Sequence, residues 1–138
     1  MPDPTALASV VVDRIAPDVV AYDVDQERLT AAAAGGAKPA SGLSQMVEDA
    51  DIFVACLRTD DQMQTVAEEL AAHGRPGQLI VVAGTHSLDF MRRLAGVVEP
   101  KGLRLIDAPV VFGALGAHRE TCSHCVAAKP PTSNARDR

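Results

Sequence analysis

A chain of 138 residues is enough for one hydrophobic core, and we expect a single domain rather than a two-domain enzyme. Apolar residues make up 47% of it, but it has no Trp, one Tyr and three Phe, so the core is predicted to be aliphatic. The net charge of −5 argues against a nucleic-acid partner, which needs a basic stripe. The apolar runs are too short to span a membrane, and no basic-then-apolar leader opens the sequence, so we predict no membrane contact and a cytoplasmic location.

Apolar spacing predicts strands that alternate with helices along the chain. Thr59 and Ser87 are predicted to cap two of the helices, and Ser41 or Ser44 a third. The predicted strands lie near residues 19–23, 52–57, 79–83 and 103–107. The predicted helices cover residues 5–16, 26–34 and 41–50, the stretch between Thr59 and Gly74, and the stretch from Ser87 to Val98.

This alternation predicts an α/β fold of Rossmann-like type, a parallel sheet with helices on both faces. We expect the strands at 19–23 and 52–57 to belong to one sheet. Ligands of such sheets lie at the carboxyl ends of the strands. The residues predicted to lie there are 22–23, 57–60, 84–87 and 107–117.

Residues 107–110 read Asp-Ala-Pro-Val, and glycines follow at 113 and 116. This segment resembles the Asp-Ala-Pro-Val-Ser-Gly-Gly-x-x-Gly-Ala substrate loop of the 3-hydroxyisobutyrate and 6-phosphogluconate dehydrogenase family. The order of elements follows that family over roughly residues 1–117. The resemblance implies an NAD(P)-dependent oxidoreductase that acts on the hydroxyl of a small 3-hydroxy acid.

The resemblance also implies a set of cofactor-binding residues. Asp23 matches the acidic residue that holds the adenosine ribose, and its charge favours NAD over NADP. Leu57, Arg58 and Thr59 match the loop along the dinucleotide, and Thr85 matches a residue near the nicotinamide. A plainer interpretation is that Asp23 marks the end of a strand and that Thr59 is only a helix cap.

The substrate loop departs from the family pattern. Val111 and Phe112 replace the expected Ser and Gly, while Gly113 is kept, so these three are the candidate substrate contacts. His86 is interpreted as a loop residue rather than a catalyst, because the family position is usually apolar. No catalytic residue is predicted.

Residues 1–6 read Met-Pro-Asp-Pro-Thr-Ala and resemble the end of the family's glycine-rich opening motif. The resemblance implies that the first, central strand of the sheet and two of the three glycines would lie before residue 1. The strands at 19–23 and 52–57 would then have unpaired inner edges. The family's helical domain with its catalytic Lys has no counterpart after residue 117, and Lys101 and Lys129 are interpreted as surface residues.

We therefore expect weak NAD binding and no turnover by the chain alone. An alternative hypothesis is a non-catalytic interaction protein that pairs its sheet edge with a full-length relative or with a second copy of itself.

Residues 1–117 are predicted to form the partial nucleotide-binding domain and residues 118–138 a disordered tail. The tail contains residue types that can bind zinc or form a redox pair, namely His118, Cys122, His124 and Cys125. The composition around them disfavours both kinds of site, and no metal is predicted. The tail can be back-translated with degenerate codons and read again in a frame shifted by one nucleotide. Such a reading permits the sequence GNLLSLCGGEAADVERARP, which resembles the continuation of the family's sequence after this loop. We therefore hypothesise that the tail is read out of frame, and the nucleotide sequence near codon 118 tests this.

Overall fold

The computed structural model describes residues 18–111, 123–124 and 127–128. In these residues the helices are α1 (Gln26–Ala34), α2 (Leu43–Asp49), α3 (Asp60–His73) and α4 (Leu88–Val98), followed by a 3₁₀ turn at Glu99–Lys101. The strands are β1 (Val20–Ala21), β2 (Lys38–Pro39), β3 (Ile52–Ala55), β4 (Leu79–Val82), β5 (Arg104–Asp107), β6 (Val110–Val111), β7 (Ser123–His124) and β8 (Ala127–Ala128). The helix predicted at 5–16 lies outside the described residues.

The described strands form three hydrogen-bonded sheets. β1 and β2 pair in parallel and make the small sheet. β3, β4 and β5 pair in parallel in chain order, with β8 antiparallel to β5, and these four make the main sheet. β6 and β7 form a separate antiparallel pair. Parallel neighbours joined by helices confirm the predicted parallel α/β class.

The core lies on one face of the main sheet. Phe53 pairs with Ile80 and Ala55 with Val82, so these four side chains project to the same side. Leu103, just before β5, belongs to the same cluster, and helices α2, α3 and α4 supply the rest: Val47, Met63, Ala67, Leu70, Phe90, Met91, Leu94 and Val98. The core is therefore not purely aliphatic as predicted, because Phe53, Phe90, Met63 and Met91 are buried in it.

The other face of β3 is exposed, because Ile52 retains 60% and Val54 48% of their surface. The expectation that the strands at 19–23 and 52–57 share a sheet is wrong. Within the described residues β1 pairs only with β2, and β3 pairs only with β4.

Strand β2 has no counterpart among the predicted strands, and one of its two residues is a proline. Its ladder uses the N–H groups on either side of that residue: Lys38 donates to Val19 and Ala40 donates to Ala21, each at 2.8 Å. Pro39 has no N–H to contribute, and this register needs none from it.

The cap predicted for α2 is also corrected. Gly42 is the N-cap, and no side chain caps the helix there. The N–H and hydroxyl of Ser41 instead both donate to Oε1 of Gln45, at 3.0 and 3.1 Å. Ser41 thus forms part of the turn before the helix without accepting from it.

Two short strands fall within the tail for which disorder is predicted. β7 pairs with β6, and β8 pairs with β5 at Ile106 and Asp107. At these four tail residues the structure has paired backbone, and the other predicted tail residues lie outside the described part. None of the described helices is long and apolar enough to cross a membrane.

Candidate functional site

The loops that follow β3 and β4 meet at the carboxyl ends of the main-sheet strands, an edge we call the carboxyl edge. A Cβ placed on Gly84 would lie 2.6 Å from the carbonyl oxygen of Leu57, so only glycine fits this approach. The N–H of Val110 donates to the carbonyl of Ala83 at 3.2 Å, which joins the segment after β5 to the same edge. Three strand-end segments therefore lie side by side.

The helices that leave this edge are capped as predicted. Thr59 Oγ1 accepts from the N–H of Gln62 at 3.2 Å, and Ser87 Oγ accepts from the N–H of Phe90 at 3.2 Å. Arg58 is exposed, and its backbone N–H donates to the Gln62 side chain at 3.1 Å. The amino-terminal ends of α3 and α4, where the helix dipole favours negative charge, thus lie at the carboxyl edge.

A buried histidine links the two loops. His86 Nδ1 lies 2.7 Å from Asp60 Oδ1, and the His86 side chain is 1% exposed whereas that of Asp60 is 47% exposed. Because a carboxylate can only accept, Nδ1 carries the hydrogen and donates. The imidazole centroid lies 5.1 Å from that of Phe90, and Nε2 has no hydrogen-bond partner among the described residues.

Asp23 follows β1 on the small sheet. Its Oδ1 accepts from the N–H of Asp25 at 2.9 Å, while its Oδ2 lies 3.9 Å from Arg28 Nη1, too far for a hydrogen bond. Asp25 is itself the N-cap of α1. The carboxylate is therefore oriented by its own loop, and Oδ2 can still accept from a ligand hydroxyl.

Of the remaining predicted site residues, the structure describes Thr85 and Val111 only. Thr85 is exposed on the loop after β4. Val111 ends β6 and pairs with Ser123, whereas Phe112 and Gly113 lie outside the described residues. The structure brings Leu57, Arg58, Thr59 and Thr85 to one edge and places Asp23 on the small sheet, and their binding roles stay predictions.

Sequence reasoning missed the pairing of Asp60 with His86. From the sequence, Asp60 is placed only within the strand-end range 57–60, and His86 is interpreted as a loop residue. The available signal was their position, since each follows a predicted strand and those two strands are adjacent in a parallel sheet.

Other reactive side chains give no second centre in the described residues. Burial raises the pKa of the Cys56 thiol, which disfavours the nucleophilic thiolate. No group of three or more His, Cys, Asp or Glu side chains that could hold a metal ion occurs in the described part of the chain. The tail cysteines Cys122 and Cys125 lie outside it.

Comparison with known proteins extends these observations. The model for the NAD binding domain of 6-phosphogluconate dehydrogenase matches residues 7–135. An uncharacterized oxidoreductase of Mycobacterium tuberculosis is 32% identical over 99 residues, which cover 70% of this chain and 33% of that protein. The NAD-dependent L-serine dehydrogenase of Pseudomonas aeruginosa is 27% identical over 108 residues, which cover 76% of this chain and 36% of that protein.

A solved structure of Mycobacterium tuberculosis 3-hydroxyisobutyrate dehydrogenase with L-serine aligns with a TM-score of 0.82 at 25% identity. The alignment covers 92% of this chain and 43% of that one. The chain spans about a third of the length of the curated relatives it matches. The resemblance and the Rossmann-like fold are thus confirmed, and the chain belongs to the family of NAD-binding domains of the 6-phosphogluconate and 3-hydroxyisobutyrate dehydrogenase type.

Proposed function

We propose that this domain binds NAD at the carboxyl ends of its strands, as the nucleotide-binding part of an oxidoreductase acting on a small 3-hydroxy acid. The observation that carries the proposal is the close approach of Gly84 to Leu57, which aligns two strand-end loops beside two helix N-termini. Open parallel sheets bind ligands at this edge, and helix N-termini suit phosphates. The family match at residues 7–135 supports a dinucleotide as the ligand.

Asp23 is the proposed contact to the adenosine ribose. Its Oδ1 is held by the Asp25 N–H at 2.9 Å, which leaves Oδ2 to accept from a ribose hydroxyl. A carboxylate at this position repels a 2′-phosphate, so NAD is proposed over NADP. Nε2 of His86 has no partner among the described residues at this edge, and departures from full hydrogen bonding are expected near functional sites.

The rest of the cofactor would follow the carboxyl edge. Leu57, Arg58 and Thr59 are proposed to line the dinucleotide and Thr85 its nicotinamide end. When bound, the nicotinamide supplies the hydride chemistry, and the chain's residues orient it. Val111, Phe112 and Gly113 are the proposed contacts to the hydroxy acid.

We propose that these 138 residues bind the cofactor weakly and show no turnover by themselves. They contain no Gly-x-Gly-x-x-Gly segment to grip the pyrophosphate. Among the described residues, Lys38 begins β2 and Lys101 precedes β5, so both lie at the amino-terminal ends of strands. Losing a general acid or base costs about 10²–10⁴-fold in rate.

Titration of ¹⁵N-labelled protein with NAD and NADP, followed by NMR, tests the cofactor proposal even at millimolar affinity. We expect amide shifts centred on residues 57–59 and 84–85 and tighter binding of NAD than of NADP. Asp23→Ala should weaken NAD binding about tenfold, because it removes a hydrogen bond to a charged group. Glu68→Ala, an equal charge change on the exposed side of α3, is the control and should leave affinity unchanged. Shifts that avoid both loops would contradict the proposal.

Activity is tested separately by following NADH formation with 3-hydroxyisobutyrate and with L-serine. We expect no rate above the protein-free blank. A rate above the blank that Asp23→Ala removes would contradict the proposed inactivity and keep the cofactor proposal.

A second candidate function is non-catalytic pairing with a full-length relative or another copy. It is favoured by the edge of β3 opposite β4, which has no strand partner within the described residues, and by the exposure of Ile52 and Val54. Unpaired apolar edges readily accept another strand. The cytoplasmic location stays a prediction from the sequence.

Size-exclusion chromatography of the chain alone and with a full-length relative tests this pairing. Val54→Lys places a charge on the edge strand and should abolish co-elution. Val24→Lys, at a position 88% exposed outside any strand, is the matched control. Separate elution of the unmodified proteins would exclude the pairing function.

A further inference from the structure

The hydrogen bond between Asp60 and His86 ties the loop after β3 to the loop after β4. Nδ1 of His86 lies 2.7 Å from Oδ1 of Asp60, and the imidazole also packs 5.1 Å from the ring of Phe90 on α4. The histidine side chain is almost fully buried, with 1% of its surface exposed. The imidazole is therefore held in place from two sides.

The same imidazole lies against the backbone of Gly84. A Cβ on that glycine would lie 3.0 Å from His86 Nε2 and 2.6 Å from the Leu57 carbonyl oxygen. The loops after β3 and β4 are therefore linked at two points. One is the hydrogen bond between Asp60 and His86, and the other is the close approach of Gly84 to Leu57. A side chain at residue 84 would meet both the imidazole and the Leu57 carbonyl, so the Gly84 backbone lies close to both of them.

Histidine is a costly residue for this position if packing is its only role. Its Nε2 is buried without a hydrogen-bond partner in the described part of the chain, so it has lost contact with water without compensation. A leucine would fill a similar space without that cost. What the imidazole adds is the directional bond from Nδ1 to Asp60.

We propose that His86 is a positioning residue of the dinucleotide site: tied to Asp60, it holds the Gly84–Thr85 backbone in place against Leu57. This inference rests on the proposed cofactor function. The imidazole acts through that backbone and does not touch the ligand, since only 1% of it is exposed. Stability and binding therefore place opposite demands on this residue.

The experiment measures NAD affinity by NMR titration and the melting temperature in parallel for His86→Leu. We expect a dissociation constant raised about 3- to 10-fold, the effect of losing one ordering hydrogen bond. The melting temperature should stay within about 3 °C of the unmodified chain or rise. A merely structural histidine predicts the reverse, with a lower melting temperature and unchanged affinity.

Two variants of Asp60 keep the test valid if His86→Leu fails to fold. Asp60 is 47% exposed, so changing it opens no hole in the core. Asp60→Asn keeps an oxygen that accepts from Nδ1 and should bind NAD like the unmodified chain. Asp60→Ala removes the acceptor and should weaken binding as His86→Leu does.

The control is the second histidine–carboxylate pair, His73 and Glu69 at the other end of α3, which is exposed and 3.7 Å apart. His73→Leu should change neither affinity nor melting temperature. If the unmodified chain binds NAD and both His86→Leu and Asp60→Ala bind it equally well, the inference is wrong and the cofactor proposal survives. If the unmodified chain shows no NAD-dependent shifts, both are wrong.

Discussion

At the amino-terminal ends of β3, β4 and β5, the buried side chain of Gln78 has a partner for each polar atom. At the carboxyl ends, by contrast, the buried imidazole of His86 has a partner for only one of its nitrogens among the described residues. Gln78 Nε2 donates to the carbonyls of Val47 and Ala50 at 2.9 and 2.7 Å, and its Oε1 accepts from the N–H of Arg75. One amide thereby satisfies the end of α2 and the turn before β4.

This difference separates a stabilising edge from a binding edge. Arg75 reinforces the amino-terminal edge by contacting the carbonyl of Glu48 and, at 2.9 Å, the carboxylate of Asp51. Folded chains leave few buried polar atoms unpaired, and those that remain concentrate where ligands bind. The carboxyl edge, with one unpaired nitrogen and a glycine-only approach, is the edge we assign to the cofactor.

The largest expected effect is the loss of stability caused by Gln78→Ala at the amino-terminal edge. Three backbone groups, one buried and two half-buried, lose their partner, so the free energy of unfolding should fall by about 3 kcal/mol. Urea denaturation measures this, and NAD-dependent NMR shifts should be unchanged because the change lies at the opposite end of the strands. Gln26→Ala, at an exposed glutamine on α1, should change stability by less than about 0.5 kcal/mol. A loss below about 1 kcal/mol for Gln78→Ala would remove the contrast between the edges.

A smaller effect is expected at the carboxyl edge for Gly84→Ala. The new Cβ would meet the Leu57 carbonyl oxygen at 2.6 Å, a backbone atom that cannot rotate away, so stability should fall by about 2 kcal/mol. NAD binding should weaken as well, because the two loops must separate. The matched variant is Gly96→Ala, which meets nothing within 4 Å on α4 and should raise stability by about 0.5–1 kcal/mol. Equal effects of the two variants would contradict the close approach.

The smallest effect is expected for the exposed ion pair at the start of the small sheet. The hydrogen bond from Lys38 Nζ, at 2.6 Å, lowers the pKa of Asp18 below its ordinary value of 3.8. Its contribution to stability is therefore present above that value and is lost as the pH falls through the lowered pKa. Asp18→Asn should remove only this acid-side dependence in urea unfolding curves and change little at neutral pH. In about 0.5 M salt the difference should vanish, because exposed pairs are screened. A large loss at neutral pH would show that this edge depends on charge.

Several elements of the fold follow from short-range chemistry. The predicted bounds of α1, α3 and α4 match the structure, because Thr59 and Ser87 accept from the N–H three residues later and Gly35 and Gly74 end helices. The four predicted strands appear within one or two residues of their expected positions. All these interactions are local.

The predictions that were wrong or absent depend on distant residues. β2 exists because Val19 and Ala21 accept from Lys38 and Ala40, a pairing that the composition of residues 38–39 does not indicate. The division into small and main sheets likewise depends on which strands are hydrogen-bonded. At the site, the sequence predicts which residues follow the strands. It does not predict the hydrogen bond between Asp60 and His86, because these residues are 26 positions apart in the sequence.

The amino-acid sequence by itself determined the helices, the parallel strands and the family, because capping, periodicity and the loop after β5 are local patterns. Tertiary structure alone decided which polar side chains are satisfied. Gln78 and His86 each lie close to a strand of the main sheet, but one is surrounded by carbonyls and the other by a glycine and a phenylalanine. The burial and the hydrogen-bond partners of a side chain come from elements that are distant in the sequence and pack together only in the fold. The contrast between the stabilising edge and the binding edge therefore arises only in three dimensions.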